Sequence, residues 1–428
     1  GGRGQQSSGA GNLGIADGTG LGNQGFPPCG LYHPVCAIIL PGRCKRGEAV
    51  SIHTWDVVVV GAGPAGCAAA FDLVQAGKRV LLLDKATFPR PKLCAGGLTI
   101  KTLKRLPYSV APVVQHVSNS MGIGRGYGPR VRFQGRAPVC ALVVRAEFDE
   151  FCFGKTCAAG AHFMQGTVTA AQELDGEVVL TLADESHVHT RYLLGADGAH
   201  SVVRRLLHAD KPHMAVGLEA MVPRETCSRT EDFRFDFGVV GQGYAWVFPK
   251  RDHFNVGIYT RDPQRFSLDK TQLREYTQFS LGSETLVDLR GFPIATGAEN
   301  CVQHLQRSFL IGDAGGYAEQ LLGEGIHNAI ASGQNAARAL LRAEGAHAQA
   351  LFVAEQAALV RDIWRCTQIA KLFYGWLPGG FFFMQAPPLR EALMQGFAGG
   401  RTLSECARAL LAWRPGCEPV STPTLQGW

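Results

Sequence analysis

The stretch Asp56-Val-Val-Val-Val-Gly61-Ala-Gly63-Pro-Ala-Gly66-Cys-Ala-Ala-Ala-Phe71 decides the fold. Four consecutive valines suit a buried strand, the glycines follow the GxGxxG spacing, and the alanines favour a helix. Strand, tight turn and helix in that order build a phosphate site. The glycines permit the turn, admit a pyrophosphate to the backbone and let the helix lie close on its strand. The helix N-terminus adds free N–H groups and a partial positive charge. A lone GxGxxG says little, but a second strand, Arg79-Val-Leu-Leu-Leu-Asp84, ends in an acid 23 residues after Gly61, where a ribose hydroxyl needs an acceptor. Gly61, Gly63, Ala65, Gly66, Asp84 and the adjoining Lys85 are the candidate nucleotide-binding residues.

Two later segments repeat the pattern of strand into glycine turn. Tyr192-Leu-Leu-Gly-Ala-Asp197-Gly198-Ala-His-Ser201-Val-Val-Arg204 runs a strand into a helix start, and Ser308-Phe-Leu-Ile-Gly-Asp313 delivers a carboxylate at a strand end. Leu322-Gly323-Glu-Gly325-Ile326 then opens an Ala-rich helix around Asn328 to Ala337. A carboxylate there can accept from ribityl hydroxyls, and the N–H groups of a Gly-rich helix start can face a flavin ring. In this order and spacing, the three motifs resemble the FAD-binding frame of the p-hydroxybenzoate hydroxylase-like flavoproteins over residues 55 to 345. The resemblance implies FAD as cofactor, held by Asp197, Gly198, Asp313, Gly323, Gly325 and Ile326 together with the first set. Arg145, in Val143-Val-Arg145-Ala-Glu-Phe-Asp149, matches the arginine that the wider group sets against the flavin nucleotide.

Two segments narrow the family. Lys85-Ala-Thr-Phe-Pro-Arg90-Pro-Lys92-Leu-Cys94-Ala95-Gly96-Gly97 resembles the Arg-x-Lys-x-Cys-Gly-Gly loop of the geranylgeranyl reductase family, with Ala95 where a glycine is usual. Gly243-Tyr244-Ala-Trp246-Val-Phe248-Pro-Lys250 is similar to that family's Tyr-x-Trp-x-Phe-Pro-Lys segment. Alternation puts Tyr244, Trp246 and Phe248 on one face of a strand, which makes an aromatic wall. Flavin-dependent halogenases carry a related Trp-x-Trp-x-Ile-Pro, from which Tyr244 and Phe248 depart. The resemblance implies hydride transfer from reduced FAD to isoprenoid C=C bonds of a prenyl lipid, quinone or geranylgeranyl-type chain. Cys94 is the candidate acid or relay, and Tyr244 and Trp246 the candidates for positioning the chain. The alternatives are a flavin-dependent aromatic monooxygenase and, behind it, a halogenase. The family usually has a proline where Gln320 stands, so a looser turn beside the flavin is expected. Glu324 and His327 near that helix start read as surface or capping groups.

The expected architecture is α/β: a Rossmann-like FAD-binding domain of the p-hydroxybenzoate hydroxylase type (about 55–110, 140–210 and 300–345), an inserted β-rich substrate domain (about 111–139 and 211–299) and a helical C-terminal cap from 346. No second GxGxxG follows residue 100, which argues against a glutathione reductase-like plan with its own NAD domain.

Composition sets the outer bounds. With 42 Lys+Arg against 36 Asp+Glu the net charge is +6, too mild and too evenly spread for a nucleic-acid binder. At 46% hydrophobic the 428 residues can bury a sizeable core, which excludes disorder of the whole chain. Thirteen cysteines lack CxxC or Cys/His zinc spacing, so reduced thiols and no metal site are expected. The longest apolar runs fall short of a membrane span. Leu372-Phe-Tyr-Gly-Trp-Leu-Pro-Gly-Gly-Phe-Phe-Phe-Met384 suits a tunnel mouth or an interfacial patch, and leaves peripheral contact with a membrane's inner face open for a protein read as cytoplasmic. The electron donor is unidentified, with NADPH or ferredoxin expected. Residues 1–49 hold 13 glycines without periodicity, and the first methionine is Met121; a disordered or non-native leader ahead of Val50 is expected. The apolar stretch Leu31 to Pro41 lacks the basic flank of a signal peptide.

Overall fold

The four valines from Val57 to Val60 divide by parity between two cores: Val57 and Val59 pack on one side of their sheet, Val58 and Val60 on the other. A strand buried on both faces reads as a continuous apolar run, which is the mark of a parallel sheet covered on both sides. The computed structural model, which describes residues 55–174, 176–300, 305–343 and 346–411, contains that sheet. The parallel strands stand in the order His162–Gln165, Val80–Asp84, Trp55–Val60, His187–Gly195 and Ser308–Leu310. An antiparallel pair, Val168–Glu173 and Val178–Leu182, extends the long fourth strand. The leader, Val50 and the Leu31 to Pro41 stretch lie outside the described residues.

One face carries the helices Pro64–Gln75, Arg145–Ala158 and Ile326–Arg342, and glycine sets how close they come. A Cβ at Gly66 would stand 1.9 Å from the Gly61 carbonyl oxygen, and one at Gly333 would stand 2.3 Å from that of Ala65. Gly61 itself has φ +107°, and its backbone abuts Ala196.

A second, mostly antiparallel sheet orders Val287–Thr296, His213–Pro223, His253–Thr260, Gly243–Pro249, Arg234–Phe237, Ser120–Arg125 and Arg130–Gln134. Alternation governs it. Ala245 and Val247 pack on Leu273 and Tyr276 of the helix Lys270–Leu281, while Tyr244, Trp246 and Phe248 line the opposite face. A short third sheet, Gly97–Thr99 with Cys140–Val143 and Val114–Ser118, joins the two. Four helices follow, Ala346–Gly375, Leu377–Met384, Pro387–Ala398 and Leu403–Leu411. No disulfide joins the cysteines among the described residues to one another.

Because Gly333 admits one helix to the backbone of another, Gly333→Ala must push them apart. Overpacking of this kind costs about 1–3 kcal/mol, to be read as a lower denaturant midpoint in equilibrium unfolding. An unchanged midpoint would show that the two helices do not pack this closely.

Candidate active site

Gly63 differs from its motif partners. A side chain at Gly61 or Gly66 would strike backbone, whereas one at Gly63 would meet only Arg90 Nη2, at 3.3 Å. The open side of the turn therefore faces a guanidinium. Arg90 Nη2 lies 3.4 Å from Asp149 Oδ2, and its Nε, 4.0 Å from Asp84 Oδ2, is buried without a hydrogen-bond partner. An orphaned buried donor costs about 1–3 kcal/mol, which a pyrophosphate oxygen at this turn would offset. With the free N–H groups of the Pro64–Gln75 helix beside it, the cradle fits the pyrophosphate of FAD. Arg90 stood in the family loop but not among the candidate site residues; its long-range contacts single it out.

Asp84 is buried at its strand end, where it accepts from the Ala62 N–H at 2.8 Å and the Ala86 N–H at 2.9 Å, so the acid also ties the turn to the second strand. Lys85 is exposed. The Asp197 carboxylate accepts from the Ser201 hydroxyl and from the Val202 and Val203 N–H groups, and so builds the Gly198 turn (φ +82°) rather than pointing free. Ala65 meets Gly312, whose Cβ would come within 2.8 Å of it, and the next residue, Asp313, lies 3.6 Å from a Cβ placed at Gly325. Ala65, Asp313 and Gly325 thus lead from the phosphate turn to a cavity.

That cavity holds about 1390 Å³, its open mouth included. Cys94, Tyr244, Trp246, Gly323, Gly325 and Ile326 all line it, with Phe233, Phe235 and Tyr259 on the same sheet and Ile363, Phe397 and Leu403 from the C-terminal helices. Aromatic rings meet edge to face along the wall: Phe235 with Tyr244 at 5.4 Å and with Phe248 at 5.4 Å between centroids. Arg145 is buried, pairs with Asp149 through two bonds of 2.9 and 3.0 Å, and lies within electrostatic reach of Cys94. The nucleotide cradle and the thiol therefore share one run of alternating charge, Asp84, Arg90, Asp149, Arg145.

The turn at Gln320 is not loose. The hydroxyls of Tyr259, Tyr374 and Tyr244 donate to the carbonyls of Gln320 (2.9 Å), Leu321 (2.6 Å) and Leu322 respectively. Glu319 accepts from the N–H groups of Leu321, Leu322 and Glu324, and Arg261 holds the Gln320 side chain at 2.6 Å. Side chains from three elements do the work of the missing proline. Tyr244 thus spends its hydroxyl on the turn and presents its ring to the cavity, and burial pushes its phenol well up, so it stays neutral. His327 is not a surface group, and Glu324, partly exposed, is held by other side chains. Glu324 receives Lys101 Nζ at 2.6 Å and the Thr99 hydroxyl at 2.9 Å at the cavity edge. His327 is buried, and burial with Lys101 and Arg105 nearby pushes its imidazole far down, so it is neutral and supplies no acid near neutral pH. No cluster of potential metal ligands occurs among the described residues.

The family model of FAD dependent oxidoreductases matches residues 56–105. A menaquinone reductase of Mycobacterium tuberculosis is 32% identical over 67% of this chain and 76% of its own length. A geranylgeranyl diphosphate reductase of Rhodobacter capsulatus is 29% identical over 67% of this chain and 75% of its own. Among solved structures, a geranylgeranyl bacteriochlorophyll reductase-like protein of Thermoplasma acidophilum superposes with a TM-score of 0.68 at 19% identity, covering 85% of this chain and 98% of that one. An FAD-dependent oxidoreductase by its cradle and by its relatives, the chain belongs to the geranylgeranyl reductase family.

Proposed function

We propose that the chain reduces C=C bonds in the prenyl part of a hydrophobic molecule lying along the aromatic wall. The observation that carries this reading is the sharing of one apolar cavity by the Cys94 loop, the Tyr244–Trp246 wall and the Gly323–Ile326 turn. An isoprenoid chain offers no hydrogen bonds, so a wall of rings held edge to face recognises it by contact area. Relatives named for geranylgeranyl diphosphate and menaquinone support the substrate class. Bound FAD supplies the hydride. The chain's own residues do the rest: Gly63 and Arg90 hold the pyrophosphate, the apolar lining excludes water, Tyr244 and Trp246 align the chain, and Cys94 Sγ gives the proton to the second alkene carbon. NADPH or ferredoxin is the proposed source of electrons.

The same helices carry an outward ridge. Leu372, Trp376, Phe382 and Phe383 are 77, 65, 74 and 59% exposed, while Tyr374 and Phe381 between them are buried in the hydrophobic cluster that includes the aromatic wall. Large exposed apolar groups on the helices that follow the cavity-lining segment support a peripheral contact with the cytoplasmic membrane face. No helix among the described residues is long and apolar enough to cross a membrane.

Three outcomes are expected. Gly63→Val should purify without yellow colour; full flavin content would refute the cradle. Anaerobic incubation of dithionite-reduced holoprotein with a panel of prenyl lipids should add the mass of one hydrogen molecule per reduced bond, and Cys94→Ser should slow this by about 10² to 10⁴-fold while retaining FAD. Unchanged masses across the panel would reject the reaction, and normal turnover in Cys94→Ser would reject the thiol's part in it. Replacing Trp376, Phe382 and Phe383 by serine should lower partitioning onto phospholipid vesicles by more than about tenfold, since burying one such side chain is worth about 1.5–3 kcal/mol. Equal partitioning would remove the ridge from the account.

A further inference from the structure

A buried carboxyl, Glu219, stands on the cavity face of the second sheet. Register places Glu219 opposite Gly257, Gly257 opposite Trp246 and Trp246 opposite Phe235, so these four share a row across the sheet. Gly257 leaves a gap that the indole fills, its nearest ring atom 2.1 Å from where a Cβ would stand. Trp246 Nε1 then donates to Asn255 Oδ1 at 2.7 Å, and on the adjoining strand Glu219 Oε1 accepts the Cys94 N–H at 2.8 Å. The same two strands thus hold both the aromatic wall and the thiol loop. From the end of the Gly243–Pro249 strand, Lys250 Nζ donates to the Ala95 carbonyl at 2.7 Å. The second Glu219 oxygen, Oε2, is buried and has no partner. Packing alone does not ask for a carboxyl in this row, and burying one costs free energy.

We propose that Glu219 and Lys250 are positioning residues that act through Cys94: they grip the Cys94–Ala95 segment from the sheet behind it, and the charge on Glu219 controls how readily the thiol gives up its proton. The groups that face Glu219 are Cys94 in the loop, Asn255 on the adjoining strand, Lys250 at the end of the next and Arg145 on its helix. Arg290, its register partner on the outer strand, is paired with Asp288. Lys250 in turn faces Cys140, Cys94, Glu219 and Glu147. Burial pushes the Glu219 carboxyl up to about 7, against the Cys94 N–H, the nearby Asn255 side chain and the charges of Lys250 and Arg145; burial draws Lys250 down to about 8. Below pH about 7 the carboxyl is neutral and the loop sees a net cation. Above it a carboxylate lies against the Cys94 amide and opposes thiolate formation. The raised carboxyl also costs stability: between the ordinary carboxylate range and about 7 the folded chain holds a proton that the unfolded chain has lost, so stability falls as pH rises through that window.

The inference deepens the reductase reading and rests on it, but its test needs no alkene, so the two can fail separately. FAD-loaded protein is treated with iodoacetamide across pH, and alkylation of the Cys94 peptide is timed by mass spectrometry. Glu219→Gln should match wild type near pH 6 and react faster near pH 8, by up to about tenfold, the thiolate fraction of one pKa unit. Lys250→Met should shift the rate the other way near pH 7, and it keeps the question open to an answer should Glu219→Gln fail to fold. Glu219→Asp should restore the wild-type pH profile in part. Profiles that superimpose at every pH, or a difference of equal size near pH 6 and pH 8, would overturn the proposal.

Discussion

Two close backbone approaches set the frame, Gly61 against Ala196 and Gly333 against Ala65. Neither tolerates a Cβ, so the nucleotide strand, the strand leading to Asp197 and two helices are held at one fixed spacing. That spacing brings Ala65 against Gly312 and so carries Asp313 to the mouth of the Gly325 turn.

Charge follows the same line. Asp84, Arg90, Asp149 and Arg145 alternate in sign from the cradle to Cys94, and Glu219 and Lys250 continue the alternation behind the thiol. Buried ions are tolerable only when each has an opposite neighbour, and here the run leaves two atoms unmatched, Arg90 Nε and Glu219 Oε2. One faces the pyrophosphate cradle and the other lies behind the proposed proton donor. Most of the remaining lining is apolar, with Lys101, Glu319, Glu324, Asp362 and Arg401 as its charged members, which suits a chain that is mostly hydrocarbon.

Local patterns were legible in the sequence and long-range ones were not. The valine run, the glycine spacing and the acid at Asp84 are read within about thirty residues, and the parity of Tyr244, Trp246 and Phe248 foretells their shared face because a strand has period two. The grip on Cys94 comes from Glu219, 125 positions away, and no residue near either one announces it. The Gln320 turn misled for the same reason: its missing proline is a local sign of looseness, while the Tyr374 hydroxyl that fixes it arrives from a helix 53 residues on. His327 looked like a cap because it opens a helix, yet it is buried, with Lys101 and Arg105 from a segment more than 200 residues earlier acting on its imidazole.

The central claim is that the aromatic cavity presents an isoprenoid double bond to the flavin. Its most direct test is the absorbance near 450 nm of the reduced holoprotein, followed without oxygen after a prenyl lipid is added. The account requires the oxidised flavin spectrum to return in proportion to the double bonds supplied, and to stay bleached with the fully saturated analogue. A spectrum that stays bleached with both lipids and recovers only when oxygen is admitted would contradict it.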